Sequence, residues 1–350
     1  MGRIAVTGSV AFDTIMAFPG RFGDHTLPEK THLINVSFLV NRLERRRGGT
    51  AANIAYTLAL LGERPLLCAA VGSDFTEYGA SLSQAGVDTS ASLGCDDVPT
   101  ASCFITTDLD DNQITAFFPG AMARAADIDL RALEDVDHVV ITPDSPDGMA
   151  VHIAQARGMA ARLVFAPAQQ IPSIDDETLV AGLDAAWLVV GNDYELELVR
   201  NRTGRDVTQL ARRSIVALTQ GARGSQLHAG GEVVTVPAVP PRRVVDPTGA
   251  GDAYLAGLLA GLRRGLDLAR AGRVASLAAT HAVEQQGPQA HRFTPAGFAA
   301  RYCEVFGSDA AVATSFGEQA GAEQTACPVG SARSRSAPVV PSATVRHSAS

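Results

Sequence analysis

The sequence predicts an α/β fold: a mostly parallel β-sheet with helices on both faces. Three observations carry this reading. Short β-branched apolar runs recur along the chain. Most are followed by a segment of helical period, and the spacing leaves room for the helical crossovers that parallel strands require. With 350 residues, 46% of them hydrophobic and 19% charged, the chain can bury a large core.

The elements follow in order. RIAVTG (3–8) reads as the first buried strand. PLLCAAVG (65–72) precedes the helical FTEYGASLSQAG, and HVVIT (138–142) precedes DGMAVHIAQARG. RLVFAP (162–167) and WLVVG (187–191) come next, the second ahead of YELELVRN. SIVALT (214–219) and VVTVPAV (233–239) complete the set. Two stretches break the rhythm. Residues 14–47 show no helix pattern, and their densest basic run, RRRGG at 45–49, reads as a solvated turn. Residues 99–120 read as two strands around the polar turn DLDDNQ. Such a pair is either a lid over a site or an edge extension of the sheet. From 308 to 350 the chain is rich in Ala, Ser and Gly, and it reads as a disordered tail that cannot offset the entropy of ordering.

Composition excludes several classes. A net charge of −8 argues against a dedicated nucleic-acid binder. The five cysteines are scattered, odd in number and without C-x-x-C spacing, which argues against a disulfide framework or a zinc site. An acid arrives by Asp13, too early for a signal peptide, and no run of 18 apolar residues offers a membrane span. The expectation is a cytoplasmic protein, and the sequence leaves monomer and homodimer open.

Chemistry concentrates in VVDPTGAGDAY (244–254). Gly249, Ala250 and Gly251 bring backbone N–H groups together without side-chain obstruction, and an apolar helix starts near Asp252. A helix N-terminus carries unpaired donors and about half a positive charge, so it attracts anions. Asp252 reads either as a capping residue or as a base that takes a proton from a hydroxyl attacking a phosphate. No G-x-x-x-x-G-K-[ST] is present, which excludes a P-loop enzyme, and no G-x-G-x-x-G opens the first helix.

DPTGAGD (246–252), together with GGTAAN (48–53), GSVAFD (8–13), NDYE (192–195) and TQGARGS (219–225), resembles the ribokinase-like, or PfkB, family of sugar and nucleoside kinases. The five motifs stand in the family's order and cover about residues 1–305. SFLV (37–40), AFFPGAM (116–122), PAQQ (167–170) and EQQGPQ (284–289) are similar to segments of bacterial adenosine kinases of the ribokinase type. The resemblance implies a three-layer α/β/α sandwich over 1–307, with a small β lid formed by about 14–47 and 99–120. It implies ATP as co-substrate, Mg²⁺ as cofactor, and transfer of the γ-phosphate to the 5′-hydroxyl of a nucleoside, adenosine first.

The site residues follow from the same resemblance. Asp13 and Asn53 hold the sugar, while Gly48 and Gly49 admit it and hinge the lid. Phe117, Gln169 and Gln170 contact the base. Asn192 and Glu195, three apart on a helix, organise Mg²⁺ through water. Thr219, Gly221 and Gly224 line the path of the ATP phosphates. Gly249, Ala250 and Gly251 form the anion hole, and Asp252 is the base. Cys103 stands where those kinases use an aromatic beside the purine. Two alternatives stay open: a kinase for a free sugar such as ribose or fructose, and a ligand-sensing protein of the same fold without catalysis.

Overall fold

The computed structural model describes residues 2–25 and 37–317. β1 (Arg3–Thr7) leads to β2 (Ala11–Ala17), and β3 (Arg42–Gly48) runs straight into α1 (Thr50–Leu60). β4 (Pro65–Cys68) and β5 (Ala70–Gly72) precede α2 (Thr76–Gln84), and β6 (Leu93–Cys95) precedes β7 (Ala101–Thr107) and β8 (Gln113–Phe118). Then come β9 (Val136–Ile141), α3 (Pro146–Ala156), β10 (Arg162–Phe165), α4 (Asp176–Ala185) and β11 (Ala186–Asn192). α5 (Asp193–Thr203), the one-turn α6 (Val207–Leu210), β12 (Ile215–Thr219), β13 (Ser225–Ala229) and β14 (Glu232–Val236) follow. Four helices complete the described chain: α7 (Ala250–Arg263), α8 (Leu268–Val283), α9 (Pro295–Phe306) and α10 (Ala310–Gly317).

The central sheet has the order β14-β13-β12-β11-β10-β9-β1-β4. The six strands from β4 to β12 are parallel, and β13 and β14 add an antiparallel edge. Residues alternate along each strand between two buried layers. Val6, Val140, Val164 and Leu188 face α1, α7 and α8. Ala5, Val139, Leu163 and Val189 face α3, α4 and α5. This is the three-layer arrangement expected, with both faces of the sheet covered.

Chain order reverses at β1, whose neighbours are β4 and β9. The crevice beyond the carboxyl ends of β1 and β9 is therefore the topological switch point, where open α/β sheets bind ligands. A second, four-stranded sheet, β3-β2-β7-β8, is formed by the segments expected to make the small β lid, and β3 leads through Gly49 into α1 of the crevice.

α7 is the most enclosed helix of the site. Every residue from Ala253 to Gly261 is buried. Gly257 and Gly261 let α8 approach so closely that a Cβ at either position would lie 2.8 and 2.9 Å from Cα atoms of Ala275 and Ala271. Burying each of Leu255, Leu258 and Leu259 contributes about 1.5–3 kcal/mol.

Three expectations are corrected. RRRGG is not a turn: Arg45, Arg46 and Arg47 lie in β3, where the register sets Arg46 beside Asp13. PLLCAAVG is not one strand, because the chain leaves the central sheet after Cys68 and β5 pairs with β6 instead. The tail does not begin at 308, since α10 carries Val312 and Phe316 into the core, where Phe316 packs on Phe298 at 5.7 Å between centroids. Two apolar residues four apart suffice to dock a helix turn that composition alone reads as disordered. The rest of the predicted tail, 318–350, lies outside the described residues. No helix among the described residues is long and apolar enough to cross a membrane.

Phe316→Ala should cost about 3–5 kcal/mol, the usual range for a buried phenylalanine. Urea unfolding measures it; an unchanged midpoint would show that α10 does not dock in solution.

Candidate active site

The cleft is built from the carboxyl ends of parallel strands. Thr142 and Pro143 follow β9, Ala166 follows β10, and Asn192 and Thr219 end β11 and β12. The first turn of α7 closes it from one side, and Thr50 and Ile54 of α1 from another. A second cavity lies behind the same turn. It is lined by Gly221, Gly224, Val244, Pro247, Tyr254 and Val283, among others, and is largely apolar. The two compartments share Thr219 and Gly251. The two compartments, the first more polar and the second apolar, meet at the start of α7.

Gly249 is the N-cap of α7, in a left-handed conformation with φ 79°. A side chain there would be strained, and its Cβ would stand 2.4 Å from Pro288 Cβ. The Ala250 N–H donates to the Pro247 carbonyl at 3.1 Å. That corrects one expectation: Ala250 shapes the turn, and its amide is not free for an anion. The first-turn N–H groups of Gly251 and Asp252 have no intrahelical partner, as at any helix start.

Asp252 is not a cap. Its Oδ2 accepts a hydrogen bond from Asn53 Nδ2 at 2.8 Å, across from α1. Burial pushes its carboxyl up to about 7; the Asn53 bond opposes this, and the charge of Glu195 adds to it. A carboxyl poised near neutrality is what a general base at physiological pH requires.

Asp13 stands against Gly48. Its Oδ2 would lie 2.5 Å from a Cβ there, so a side chain at that position would make the carboxylate shift. Burial raises its pKa, with Arg46 opposing and Asp246 adding. Arg46 is itself tied to Glu44 and, at 3.0 Å, to Asp246. Register puts Arg46, Asp13, Cys103 and Phe117 in one row of the lid sheet, on one face. Phe117 is half exposed at the end of that row.

Asn192 and Glu195 do not share a helix face as expected. Asn192 caps α5 from outside: its Oδ1 accepts from Glu195 N at 2.8 Å, and Glu195 Oε2 accepts from Asn192 N at 3.0 Å. Both nevertheless line the polar compartment, and burial raises the Glu195 pKa. Gln169 lines the same compartment. Gln170 does not reach it, since its Nε2 donates to the Asp144 carbonyl at 2.5 Å. The turn that presents Gln169 holds Ala168 at φ 40°, a strained conformation of the kind that clusters at functional sites.

Sequence reasoning missed a row of hydroxyls on the cleft floor. Thr142 Oγ1 donates to the Thr7 carbonyl at 2.8 Å and lies 3.0 Å from Thr50 Oγ1, which lies 3.2 Å from Ser9 Oγ. Thr142 ends a strand reading, HVVIT, and carries no local signal of this role. Of the walls of the apolar compartment, Val244 and Tyr254 lie at the ends of the segment singled out in the sequence, whereas Val283 was unmarked.

A carboxylate of raised pKa beside an anion-seeking helix start, at the junction of two compartments, defines a phosphotransferase with an alcohol acceptor. Comparison with known proteins agrees. Residues 9–295 match the pfkB family carbohydrate kinases, and the chain belongs to that family. It is 32% identical over 261 residues, 73% of this chain and 84% of the relative, to a nucleoside kinase of Methanothermobacter thermautotrophicus. Its fold is similar to that of Burkholderia thailandensis nucleoside kinase in complex with inosine, with 37% identity, a TM-score of 0.78 and coverage of 87% of this chain and 98% of that one. It is likewise similar to Methanocaldococcus jannaschii nucleoside kinase, at 26% identity, TM-score 0.79 and coverage of 87% and 99%.

Asp252→Asn keeps the shape and removes the proton acceptor, so turnover should fall by about 10²–10⁴. As a base, Asp252 would work only when ionised. Turnover should therefore decline below about pH 7, where Asp252 protonates, and a steady-state pH profile measures the limb. Near-full turnover of the Asn variant would remove Asp252 from the chemistry.

Proposed function

We propose that this chain is an ATP-dependent nucleoside kinase that phosphorylates the 5′-hydroxyl of a purine nucleoside, adenosine among them. The observation that carries the reading is the junction itself: Asp252 and the free N–H groups of α7 stand where the apolar and polar compartments share Thr219 and Gly251. The apolar compartment suits a nucleotide base, with Thr219, Gly221 and Gly224 beside its phosphates. The polar compartment suits a nucleoside. The similar Burkholderia thailandensis enzyme is also known in a complex named for ADP and inosine, at 38% identity.

In this reading Asp252 takes the proton of the 5′-hydroxyl as its oxygen attacks the γ-phosphorus. Charge growing on the transferred group meets the N–H groups of Gly251 and Asp252 and the positive end of α7. Asn192 and Glu195 would hold Mg²⁺ through water. That fits an ion which keeps several waters and takes few protein ligands, and the ion would supply neutralisation of phosphate charge. No cluster of three metal-binding side chains occurs among the described residues, so the phosphates themselves complete such a site.

The ribose hydroxyls go to Asp13, whose carboxylate has no hydrogen-bond partner among the described residues. Phe117 stacks on the base and Gln169 reads its edge. A Gln amide offers one donor and one acceptor, so it pairs with adenine in one orientation and hypoxanthine in the other. The reading therefore widens from adenosine to purine nucleosides. We also propose a homodimer, formed through the opposite face of the lid, where Leu43, Phe104, Ile114 and Phe118 are exposed; sedimentation of Phe104→Glu against the parent tests it, and an unshifted mass rejects that face.

Removing one hydroxyl from a carboxylate that pairs with two costs roughly 1–3 kcal/mol. Adenosine should exceed 2′-deoxyadenosine by about 5- to 150-fold in kcat/KM, and Asp13→Ala should shrink the gap. Ribose and fructose, lacking a base, should be poor acceptors. If either equals adenosine, the free-sugar reading replaces this one; if no acceptor turns over, the non-catalytic reading does.

A further inference from the structure

Asn53, the partner of Asp252, is held from behind by two residues outside the chemistry. Gln289 Nε2 donates to Asn53 Oδ1 at 2.9 Å and also to the Tyr78 hydroxyl. The Tyr78 hydroxyl donates to the Gly48 carbonyl at 2.7 Å. Tyr78 is fully buried and Asn53 is 5% exposed, so these bonds are not exchanged freely with water.

The direction of every bond in this chain is forced. The Gly48 carbonyl can only accept, so the Tyr78 hydroxyl spends its hydrogen there and its oxygen must accept from Gln289. The Gln289 atom facing Tyr78 is then its nitrogen, whose second hydrogen needs an acceptor. Asn53 must therefore turn its oxygen to Gln289 and its nitrogen to Asp252. An amide can otherwise flip between its two ends. A flipped Asn53 would set an oxygen against the Asp252 carboxylate, oppose its ionisation and push it aside.

We propose that Gln289, oriented by Tyr78, is a positioning residue for phosphoryl transfer: it fixes the face that Asn53 presents to Asp252 and ties that face to the lid hinge at Gly48. The proposal rests on the reading of Asp252 as the base. The loop around Gln289 is suited to the task because it touches all three parts of the machinery. Gly287 N donates to Asp246, which also holds Arg46 of the lid. Pro288 packs into the space left by the missing side chain of Gly249. Gln289 reaches Asn53.

Gln289→Glu tests this with little change of shape, since it replaces the donor by an acceptor and inverts the polarity of the chain. We expect turnover to fall about 10- to 100-fold, the scale of a small misplacement at a reacting centre, with KM values for ATP and nucleoside within about threefold. The acid limb of the pH profile should move upward, because Asp252 loses its donor. The groups facing Asp252 are Asn53 from α1 and Glu195 from α5, whose charge already opposes ionisation; Tyr78 stays neutral, its phenol raised chiefly by burial.

In an Asn53→Ala background Gln289→Glu should cost less than about twofold more, since a residue acting through Asn53 has nothing left to act on. Tyr78→Phe keeps the ring and should lower turnover with the same shift of limb; it decides alone if Gln289→Glu does not fold. Unchanged turnover with an unmoved limb, or a full additional loss in the Asn53→Ala background, would overturn the proposal and leave Gln289 a packing residue. Retained activity in Asp252→Asn would instead overturn the base on which it rests.

Discussion

The first turn of α7 must serve two negative groups at once, and much of the site follows from that constraint. A helix start in a closed site attracts an anion. Here one anion, the Asp252 carboxylate, is already built into the third position of the helix. A phosphate arriving at the same turn would be repelled by it. The conflict is relieved if a hydroxyl lies between the two and gives its proton to the carboxylate. Burial keeps Asp252 near neutrality rather than fully ionised, and a single amide from α1 supplies the opposing stabilisation. The carboxyl is then balanced between its two states, as proton transfer requires.

That balance depends on packing far from the chemistry. α7 can bury its turn at the switch point only because Gly257 and Gly261 admit α8; α8 in turn packs on α9 through His281 and Phe298, and α10 packs on α9 through Phe316. The helix pair is the rigid part of the site. The lid is the opposite case. One face of its sheet carries the row from Arg46 to Phe117, and its other face carries exposed apolar side chains.

Legibility in the sequence followed the same division. Strands of the central sheet are buried on both faces, so their residues form unbroken apolar runs, and RLVF or WLVV can be read without tertiary knowledge. β3 reads RLERRRG and its arginines pair with acids in distant loops, such as Asp74 for Arg45 and Asp246 for Arg46; nothing local announces a strand. The loop at 246–252 was legible because its chemistry is local: small residues, then an acid at a helix start. What sequence cannot show is where each amide and hydroxyl spends its hydrogen bonds. Ala250 and Gln170 stood in the right segments, yet their donors are used by Pro247 and Asp144. Thr142 and Gln289 are ordinary residues until the fold sets them beside Thr50 and Asn53.

The accounting of polar groups separates the two halves of the acceptor compartment. On the floor, Ser9, Thr50 and Thr142 satisfy one another, Asn192 and Glu195 do the same, and Asn53 is bonded at both ends of its amide. On the other sheet, Asp13 is half-buried beside Gly48, between Arg46 and Cys103 in the register. A carboxylate in that position is costly until something donates to it. The floor therefore arrives preorganised. In the proposed reading the donors to Asp13 come from the acceptor molecule: a ribose ring would present two adjacent hydroxyls there while its 5′-hydroxyl extends toward Asp252.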